Sequence, residues 1–266
     1  MVVIGEKINS TRKNIGKAVE AKDADTIREE ALKQIQAGAH TLDVNCGTLP
    51  ARTEPETLAW LVETVQSAVD VSLCLDSPNP AALAQALAVH RGKAMINSIS
   101  GEKARYSQIL PLVKDYSASV VALGMDDQGI PQDKNRALAV GVTLVNNLLA
   151  DGISLDDIYF DPLVRSVATS QGSVVEGLAL MQELGSQFPG LHFVSGLSNV
   201  SFGLPERRHL NRAFVVLSVA SGLDAVIMDP MDATMLALIY AAEALMNKDR
   251  FCMKYIEAFR QGKLKA

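Results

Sequence analysis

The sequence predicts an α/β protein: a single (β/α)8 TIM barrel with an extra C-terminal helix, forming one domain over residues 1–266. Three observations predict this fold. Eight short runs rich in Val, Ile and Leu alternate with longer stretches of helical periodicity. The length of 266 residues is typical of such a barrel. No linker, low-complexity tract or change of composition divides the chain.

Each of the eight predicted strands is apolar on both faces, which is typical of parallel strands covered by helices. In chain order their sequences are VVIGEKI, TLDVN, VSLCLD, KAMINSI, ASVVALGM, DIYFDPL, LHFVSGLS and DAVIMDP. A doubly wound open sheet is the alternative architecture. It is disfavoured because no Gly-x-Gly-x-x-Gly turn follows the first strand.

A helix is predicted after every strand. The helices are expected to begin near residues 22, 55, 80, 102, 133, 173, 208 and 232. Pro55, which lies between two glutamates, and Asn79, which precedes Pro80, are typical of helix starts. A ninth helix from about Asp249 has no strand after it, so we expect it to pack on the outside of the barrel.

The composition excludes several classes of protein. The net charge is -5 with acids and bases mixed, and no basic run predicts a nucleic-acid partner. Cys46, Cys74 and Cys252 are far apart and odd in number, which favours reduced thiols over disulfides or a thiolate metal site. Cys46 and Cys74 should simply fill space. No signal peptide and no apolar run of roughly 20 residues is found, so we expect a cytoplasmic protein without a membrane segment.

Most of the predicted strands end in carboxylates or carboxamides. Because active sites of this fold lie at the carboxyl ends of the strands, these side chains should meet at one end of the barrel. In strand order they are Glu6 with Asn9, Asp43 with Asn45, Asp76 with Ser77, Asn97 with Ser98, Met125 with Asp126, Asp161, Ser198 with Asn199, and Asp229. Each alone would be read as a helix cap or a turn former, and it is their coincidence that indicates a site.

These strand ends disfavour some chemistries. None of the four histidines follows a strand, so a histidine metal site is not expected, although carboxylate-bound magnesium remains open. Lys7 is the one lysine at a strand end, and the neighbouring Glu6 would keep it charged, which disfavours a Schiff base. The Asp-Pro-Met-Asp segment after the last strand would repel phosphate. Mixed carboxylates and amides instead suit a flat heterocycle with alternating donors and acceptors, such as an aminopyrimidinone.

Six segments carry a resemblance to a known family. GEKIN, LDVNCG, CLDS, MINSIS, DPL and GLSNVSFGLPERRHLNRAF resemble the pterin-binding methyltransferases, and the match runs from end to end of the chain. That family moves a methyl group between tetrahydrofolate and the cobalt of a corrinoid. It includes the folate module of cobalamin-dependent methionine synthase, the methyltransferase of the acetogen corrinoid/iron-sulfur protein, and the second methyltransferase of demethylase systems.

The resemblance implies roles for particular residues. Asp76, Asn97 and Asp161 would hold the edge of the pterin. Asn199 would lie near nitrogen five, the atom that carries the methyl group, and would stabilise its charge, with Asp76 as a route for the proton. The other residues implied to line the pocket or bind the substrate are Gly196, Ser198, Glu6, and Arg207 or alternatively Arg208 at the folate tail. Asp43 and Asn45 would form the floor of the pocket or support it from behind.

The resemblance also implies an activity and partners. The protein should form methyltetrahydrofolate from a methylated corrinoid protein in a demethylase system, and transfer in the reverse direction is the alternative. Cobalamin would arrive on a separate, transient partner protein, and the enzyme would be a homodimer without a bound metal of its own. Dihydropteroate synthase is a further alternative, disfavoured because the Ser-Arg-Lys and Arg-x-His segments of those enzymes are absent. A non-catalytic pterin-binding barrel is the third reading.

Overall fold

A computed structural model describes residues 1–264. Within them, eight parallel strands close into a barrel in chain order, and β1 completes the circle by pairing with both β2 and β8. The strands are β1 Val2–Asn9, β2 Thr41–Asn45, β3 Leu73–Asp76, β4 Met95–Gly101, β5 Ser119–Asp126, β6 Ile158–Asp161, β7 His192–Gly196 and β8 Ala225–Met228. All eight predicted strands are present, which confirms the barrel. Residues 265–266 of the predicted domain lie outside the described residues.

The helices surround the barrel in the predicted order. They are α1 Lys13–Glu20, α2 Ala24–Ala37, α3 Glu54–Ala68, α4 Pro80–Val89, α5 Lys103–Asp115, α6 Lys134–Ala150, α7 Ser173–Gln187, α8 Arg207–Ala220, α9 Ala233–Leu245 and α10 Met253–Arg260. Short 3-10 helices lie at Leu155–Asp157, Asn199–Ser201 and Arg250–Cys252. The extra C-terminal helix is therefore α10, and it begins slightly later than predicted.

Helix α1 was not predicted. It has only 8 residues, and its N-cap, Arg12, makes no capping hydrogen bond through its side chain. Its buried face consists of Ile15, Ala18 and Val19, whose spacing is helical but too short to stand out in the sequence. By contrast, the predicted start of α4 is confirmed, because Asn79 accepts a hydrogen bond from the backbone of Ala81.

Two apolar layers hold the barrel together. The outer layer packs the strands against the helices and includes Leu42, Phe160 and most of the buried aliphatic side chains. The inner layer fills the barrel itself, and its buried members are Ile4, Cys74, Met95, Val121, Val194 and Ala225. Cys46 and Cys74 are both fully buried, one in each layer, as expected of space-filling thiols.

The inner layer fixes where the polar strand ends point. Side chains two residues apart on a strand share a face, so the residue two positions after each inner-layer residue also faces the barrel interior. Ile4 is thereby followed by Glu6, Cys74 by Asp76 and Met95 by Asn97. The polar strand ends consequently stand on an apolar floor. Within residues 1–264 no helix is long and apolar enough to cross a membrane.

Candidate active site

A cavity of about 560 Å³ lies at the carboxyl ends of the strands. Six of the eight strands, or the loops that follow them, contribute polar side chains to its wall. Of the nine predicted site residues, eight line this cavity: Glu6, Asp43, Asp76, Asn97, Asp161, Gly196, Ser198 and Asn199. The structure thus brings together residues that are up to 193 positions apart in the sequence. Arg207 does not line the cavity.

Two hydrogen bonds between strands orient the carboxylates of the cavity, one from β2 to its neighbour β3 and one from β4 to β2. The amide of Asn45 donates to Asp76 Oδ2 at 2.8 Å, and the amide of Asn97 donates to Asp43 Oδ1 at 3.4 Å. Asn45 does not line the cavity, so it supports Asp76 from behind. Asp43 lies at the bottom and is 3% exposed, and it faces the cavity while also bonding Asn97. The resemblance implied that both residues lie at the floor of the pocket or behind it; in the structure Asp43 lines the cavity and Asn45 is outside its lining.

Burial makes ionisation of these carboxyl groups unfavourable. Removal from solvent raises the pKa of Asp43 well above its usual range, and the nearby Asp76 raises it further. The pKa of Asp76 is also raised by burial, although the hydrogen bond from Asn45 opposes the shift. Burial raises the pKa of Asp161 to about 6, against the hydrogen bond that the backbone of Leu163 donates at 2.8 Å. These carboxylates therefore gain strongly from any ligand that brings N–H donors.

Asn199 is placed differently from the acidic residues. It begins the 3-10 helix that follows β7, and it is exposed. Its amide nitrogen lies 3.4 Å from the point where a Cβ on Gly196 would stand, so a larger residue there would touch the amide, whereas glycine leaves it room to rotate. Asn199 can therefore turn its amide as donor or acceptor towards an atom in the cavity.

Arg207 holds the loop that carries Asn199. Its Nε donates to Ser201 Oγ at 3.0 Å and its Nη2 donates to the carbonyl of Ser198 at 2.5 Å. The guanidinium also lies 6.0 Å from the centre of the Phe202 ring. Both of its described hydrogen bonds thus go to residues flanking Asn199. The adjacent Arg208 instead lines a second cavity of about 430 Å³, which shares Glu6 and Ser198 with the first.

Sequence reasoning missed two arginines at this end of the barrel. Arg12 lines the cavity and donates to Glu6 Oε1 at 3.1 Å. Arg105, on α5, joins β4 to the loop after β3, because it donates to the carbonyls of Ser77, Pro78 and Ser98 at 2.6–2.9 Å. Neither arginine ends a strand, and the partners of Arg105 are 7 to 28 residues away, so the sequence offered no local signal.

Other polar strand ends have structural partners outside the cavity. Asp126 pairs with Arg136, and Asp229 pairs with Lys7 at 3.5 Å. The carboxylate paired with Lys7 is therefore Asp229, whereas Glu6 pairs with Arg12. Among the residues that the structure describes, no group of three or more His, Cys, Asp or Glu side chains could hold a metal ion. No histidine lines the cavity.

Sequence comparison identifies the family. The model of the family described as pterin binding enzyme matches residues 5–229. The chain therefore belongs to the pterin-binding enzymes, as the resemblance of its strand-end motifs predicted.

Comparison with curated proteins shows which type of enzyme the chain resembles. The methylcorrinoid:tetrahydrofolate methyltransferase of Eubacterium limosum is 37% identical over 266 residues, which cover 99% of this chain and 98% of that protein. Methionine synthase of Mycobacterium tuberculosis is 29% identical over 240 residues, covering 85% of this chain but only 20% of that longer protein. The protein is an enzyme of the methyltransferase type.

Solved structures with the same fold are dihydropteroate synthases. The Yersinia pestis enzyme has a TM-score of 0.68 and 17% identity, covering 92% of this chain and 93% of its own. The Xanthomonas albilineans enzyme in complex with 7,8-dihydropteroate has a TM-score of 0.69 and 21% identity, covering 93% and 92%. At these identities the likeness shows the shared barrel and nothing about the reaction.

Proposed function

We propose that this enzyme transfers a methyl group from the cobalt of a corrinoid protein to nitrogen five of tetrahydrofolate, and serves a demethylase system. The observation that carries the proposal is the meeting of Asp76, Asn97, Asp161 and Asn199 in one cavity. Its direction is supported by the relative of matching length, whose name runs from methylcorrinoid to tetrahydrofolate. Transfer from methyltetrahydrofolate to the corrinoid uses the same groups and remains the alternative.

The buried carboxylates suit the pterin edge. A pterin presents an amino group and a ring N–H on one edge, and carboxylates accept hydrogen bonds from both. Because burial has raised the pKa of Asp76 and Asp161, donors from the ligand replace the water that these groups lost on folding. Asn97 supplies an amide beside them. The hydrogen bonds from Asn45 to Asp76 and from Asn97 to Asp43 hold these side chains in position.

Asn199 is assigned to the reacting nitrogen. As the nitrogen–methyl bond forms, nitrogen five becomes positively charged before it loses its proton. The carbonyl oxygen of Asn199 can accept a hydrogen bond from that N–H and stabilise the charge where it develops. The amide has no acidic proton near neutral pH, so the proton leaves to water or through Asp76. Gly196 has no side chain to crowd the amide, and Ser198 and Glu6 also line the cavity.

The corrinoid is assigned to a separate protein that docks transiently at the open mouth of the barrel. Its cobalt supplies the methyl group and keeps the electron pair of the broken cobalt–carbon bond. The exposed position of Asn199 supports this arrangement, since the methyl must be approached from outside. Tetrahydrofolate enters as a substrate.

A homodimer and a cytoplasmic location are further parts of the proposal. Several large apolar side chains near and within α10 are exposed, including Leu245 at 83%, Phe251 at 79% and Phe259 at 70%, which supports self-association there. The three cysteines are free thiols, as in reducing compartments. Size-exclusion chromatography with light scattering tests the dimer, and a monomeric mass at micromolar concentration would contradict it.

A visible spectrum followed over time tests the reaction. Under exclusion of oxygen, the protein is mixed with free methylcobalamin and tetrahydrofolate, and reduced cobalamin should accumulate. The reverse assay starts from cob(I)alamin and methyltetrahydrofolate, and the faster assay indicates the favoured direction. At a folate concentration near the wild-type Kd, Asp161→Ala should abolish the signal, because the variant no longer binds the folate. Asp127→Ala, at the same end of the barrel but outside the cavity, should retain it.

The outcomes separate the candidate functions. No cobalt signal together with synthesis of dihydropteroate would replace the proposal with a synthase. No activity of either kind, with folate bound, would indicate a binding protein if the native corrinoid protein also gave no transfer.

A further inference from the structure

Arg105 connects the ends of the two strands that carry Asp76 and Asn97. These two residues face each other in the pairing of β3 with β4, and they are its last partners. One further backbone hydrogen bond runs from the amide of Ser77 to the carbonyl of Asn97, at 3.1 Å. The hydrogen-bonded ladder between the two strands therefore ends at the residues whose side chains line the cavity.

The guanidinium of Arg105 continues the connection beyond this ladder. Its Nη2 donates to the carbonyl of Ser77 and its Nε to the carbonyl of Ser98, both at 2.9 Å. Its Nη1 donates to the carbonyl of Pro78 at 2.6 Å. Ser77 and Ser98 directly follow the two side chains that line the cavity. Because a guanidinium is planar and rigid, one group fixes the distance between the two strand ends.

A second anchor holds the loop after β3 from the side of α3. Ser77 Oγ donates to Glu54 Oε1 at 2.6 Å, and the two residues are 1% and 3% exposed. Arg105 is half-buried and belongs to α5. Among the described residues, it is the only side chain whose hydrogen bonds join this loop to β4. Loss of Arg105 should therefore leave the loop attached to the barrel but free to shift relative to β4.

Arg105 also acts on Asp76 through its charge. Burial raises the pKa of Asp76, and the hydrogen bond from Asn45 and the positive charge of Arg105 oppose that rise. The other charged groups that interact with Asp76 are the carboxyl groups of Asp43 and Glu54. Of these described groups, Arg105 is the one cation, so it favours the ionised form of Asp76.

We propose that Arg105 is a positioning residue for recognition of the pterin edge, holding Asp76 and Asn97 at the spacing that one flat ring requires. It acts through the backbone, since it does not line the cavity. A displacement of about 1 Å can abolish much of a directional contact, even when the substituted residue is distant from the ligand. This inference rests on the proposed function, in which these two side chains bind the pterin.

Three variants separate the geometry of Arg105 from its charge. Arg105→Met removes both the guanidinium and the charge, and it keeps most of the aliphatic stem. Arg105→Lys keeps the charge, but an ammonium cannot hold three carbonyls in one plane.

Arg136→Met is the matched control. Arg136 is the third residue of α6, as Arg105 is of α5, and it too is half-buried. It bonds Asp126 at the end of β5, and neither residue lines the candidate active site. This variant therefore reports the general effect of losing an arginine that fastens a strand end.

Affinity and turnover should respond differently. Arg105→Met should weaken the binding of tetrahydrofolate about ten- to hundredfold, because the hydrogen bonds of two side chains are misplaced. Its kcat at saturating tetrahydrofolate should stay within about threefold of wild type, since the group assigned to the reacting nitrogen follows β7. Arg105→Lys should lose affinity to a smaller extent, and Arg136→Met should keep both quantities. Anaerobic calorimetry measures the Kd, and the methylcobalamin assay measures kcat.

The pH dependence of the Kd adds a readout that loop distortion alone would not change. Ionised Asp76 accepts hydrogen bonds from the pterin, so affinity should fall as the pH is lowered and this group takes up a proton. Without the charge of Arg105 the pKa of Asp76 rises further, so the fall should begin at higher pH in Arg105→Met than in wild type. Arg105→Lys should lie closer to wild type. Asp43 and Asp161 titrate in every variant, so the profiles are compared with one another.

Several results would overturn the inference. One is an affinity in Arg105→Met and Arg105→Lys no weaker than in Arg136→Met. Another is an equal loss of affinity and kcat, which would indicate a general distortion. A pH profile of Arg105→Met identical to that of wild type would refute the effect of charge on Asp76.

Controls keep each outcome decisive. Urea denaturation at pH 7 checks that every variant is folded, and if Arg105→Met does not fold, the reduced affinity at unchanged kcat is required of Arg105→Lys. The proposed function stands in each of these cases as long as the wild type binds tetrahydrofolate and transfers the methyl group. If the wild type binds no tetrahydrofolate, the proposed function fails and the inference fails with it.

Discussion

The two sides of the candidate active site are built in opposite ways. On one side, Asp43, Asp76, Asn97 and Asp161 form what we call the buried wall. Asp43 and Asp161 are buried, Asp76 is partly buried, and amides donate to Asp43 and Asp76. On the other side, Asn199 is exposed at the start of a 3-10 helix. The difference indicates a division of labour: recognition relies on groups fixed in advance, and the reacting group lies where a large partner can reach it.

Removing the amide of Asn199 should have the largest effect on the difference between the two sides of the site. Asn199→Ala should reduce kcat by roughly hundred- to thousand-fold, the usual cost of losing one donor or acceptor that stabilises transition-state charge. The Kd for folate should change little, because the buried wall is intact. Stopped-flow spectroscopy with methylcobalamin and calorimetry measure the two quantities. Asn146→Ala, an exposed asparagine on α6, is the control, and near-normal turnover in Asn199→Ala would refute the assigned role.

Removal of an acid from the buried wall should have the reverse signature. Asp161→Ala should weaken folate binding on the order of a hundredfold, because charge-assisted hydrogen bonds to a buried partner are lost. At saturating folate, kcat should fall far less than in Asn199→Ala. Calorimetry checks the affinity, and an unchanged Kd would show that Asp161 does not contact the substrate.

The buried wall should also make the free energy of unfolding depend on pH. Because burial raises the pKa of Asp161 to about 6 from a usual value of 3.8, the folded protein binds more protons than the unfolded chain between these pH values. The free energy of unfolding should therefore fall as pH rises through this window, by up to about 3 kcal/mol from this group. Asp43 and Asp76 act in the same direction, since burial also raises their pKa.

Urea denaturation of Asp161→Asn at several pH values isolates the contribution. The variant should be more stable than wild type at pH 7, and the difference should vanish near pH 4. Asp127→Asn provides the control for the change of charge. If Asp161→Asn were less stable than wild type at pH 7, the raised pKa of Asp161 would be contradicted.

A methyl group beside the amide should have the smallest effect. Gly196→Ala places a Cβ 3.4 Å from the amide nitrogen of Asn199, an ordinary contact that limits rotation of the amide without a severe clash. We expect kcat to fall about three- to tenfold with little loss of stability. Turnover is compared with that of Gly185→Ala, in α7, where the added Cβ also lies 3.4 Å from its nearest neighbour, the ring of Phe193. An unaltered kcat in Gly196→Ala would mean that Asn199 need not turn.

The barrel and much of the buried wall could be predicted because their signals are local. An apolar run that ends in a carboxylate predicts a strand, and the alternation of side chains along the strand predicts which way the carboxylate points. Cys74 faces the barrel interior, and Asp76, two residues later, lines the cavity. The support of that carboxylate could not be predicted in the same way. Asn45 lies 31 residues before Asp76, and their hydrogen bond follows from the pairing of β2 with β3.

The side of the site that carries Asn199 could be predicted less well from the sequence. Arg207 and Arg208 are adjacent, and nothing in their order indicates that one binds Ser198 and Ser201 while the other lines a cavity. That separation depends on the turn into α8, where Glu206 adopts a left-handed conformation with φ at 47°. Backbone geometry of this kind is set by the packed fold.

The raised pKa of Asp161 has a consequence for the enzyme in the cell. Ionised Asp161 in the empty site lowers the stability of the folded protein. A ligand that binds only the native state adds stability that grows with the logarithm of its concentration, so the folded population depends on the ligand. Proteases remove the unfolded fraction. We therefore expect the steady-state amount of this enzyme to rise and fall with the supply of reduced folate, without any change in transcription.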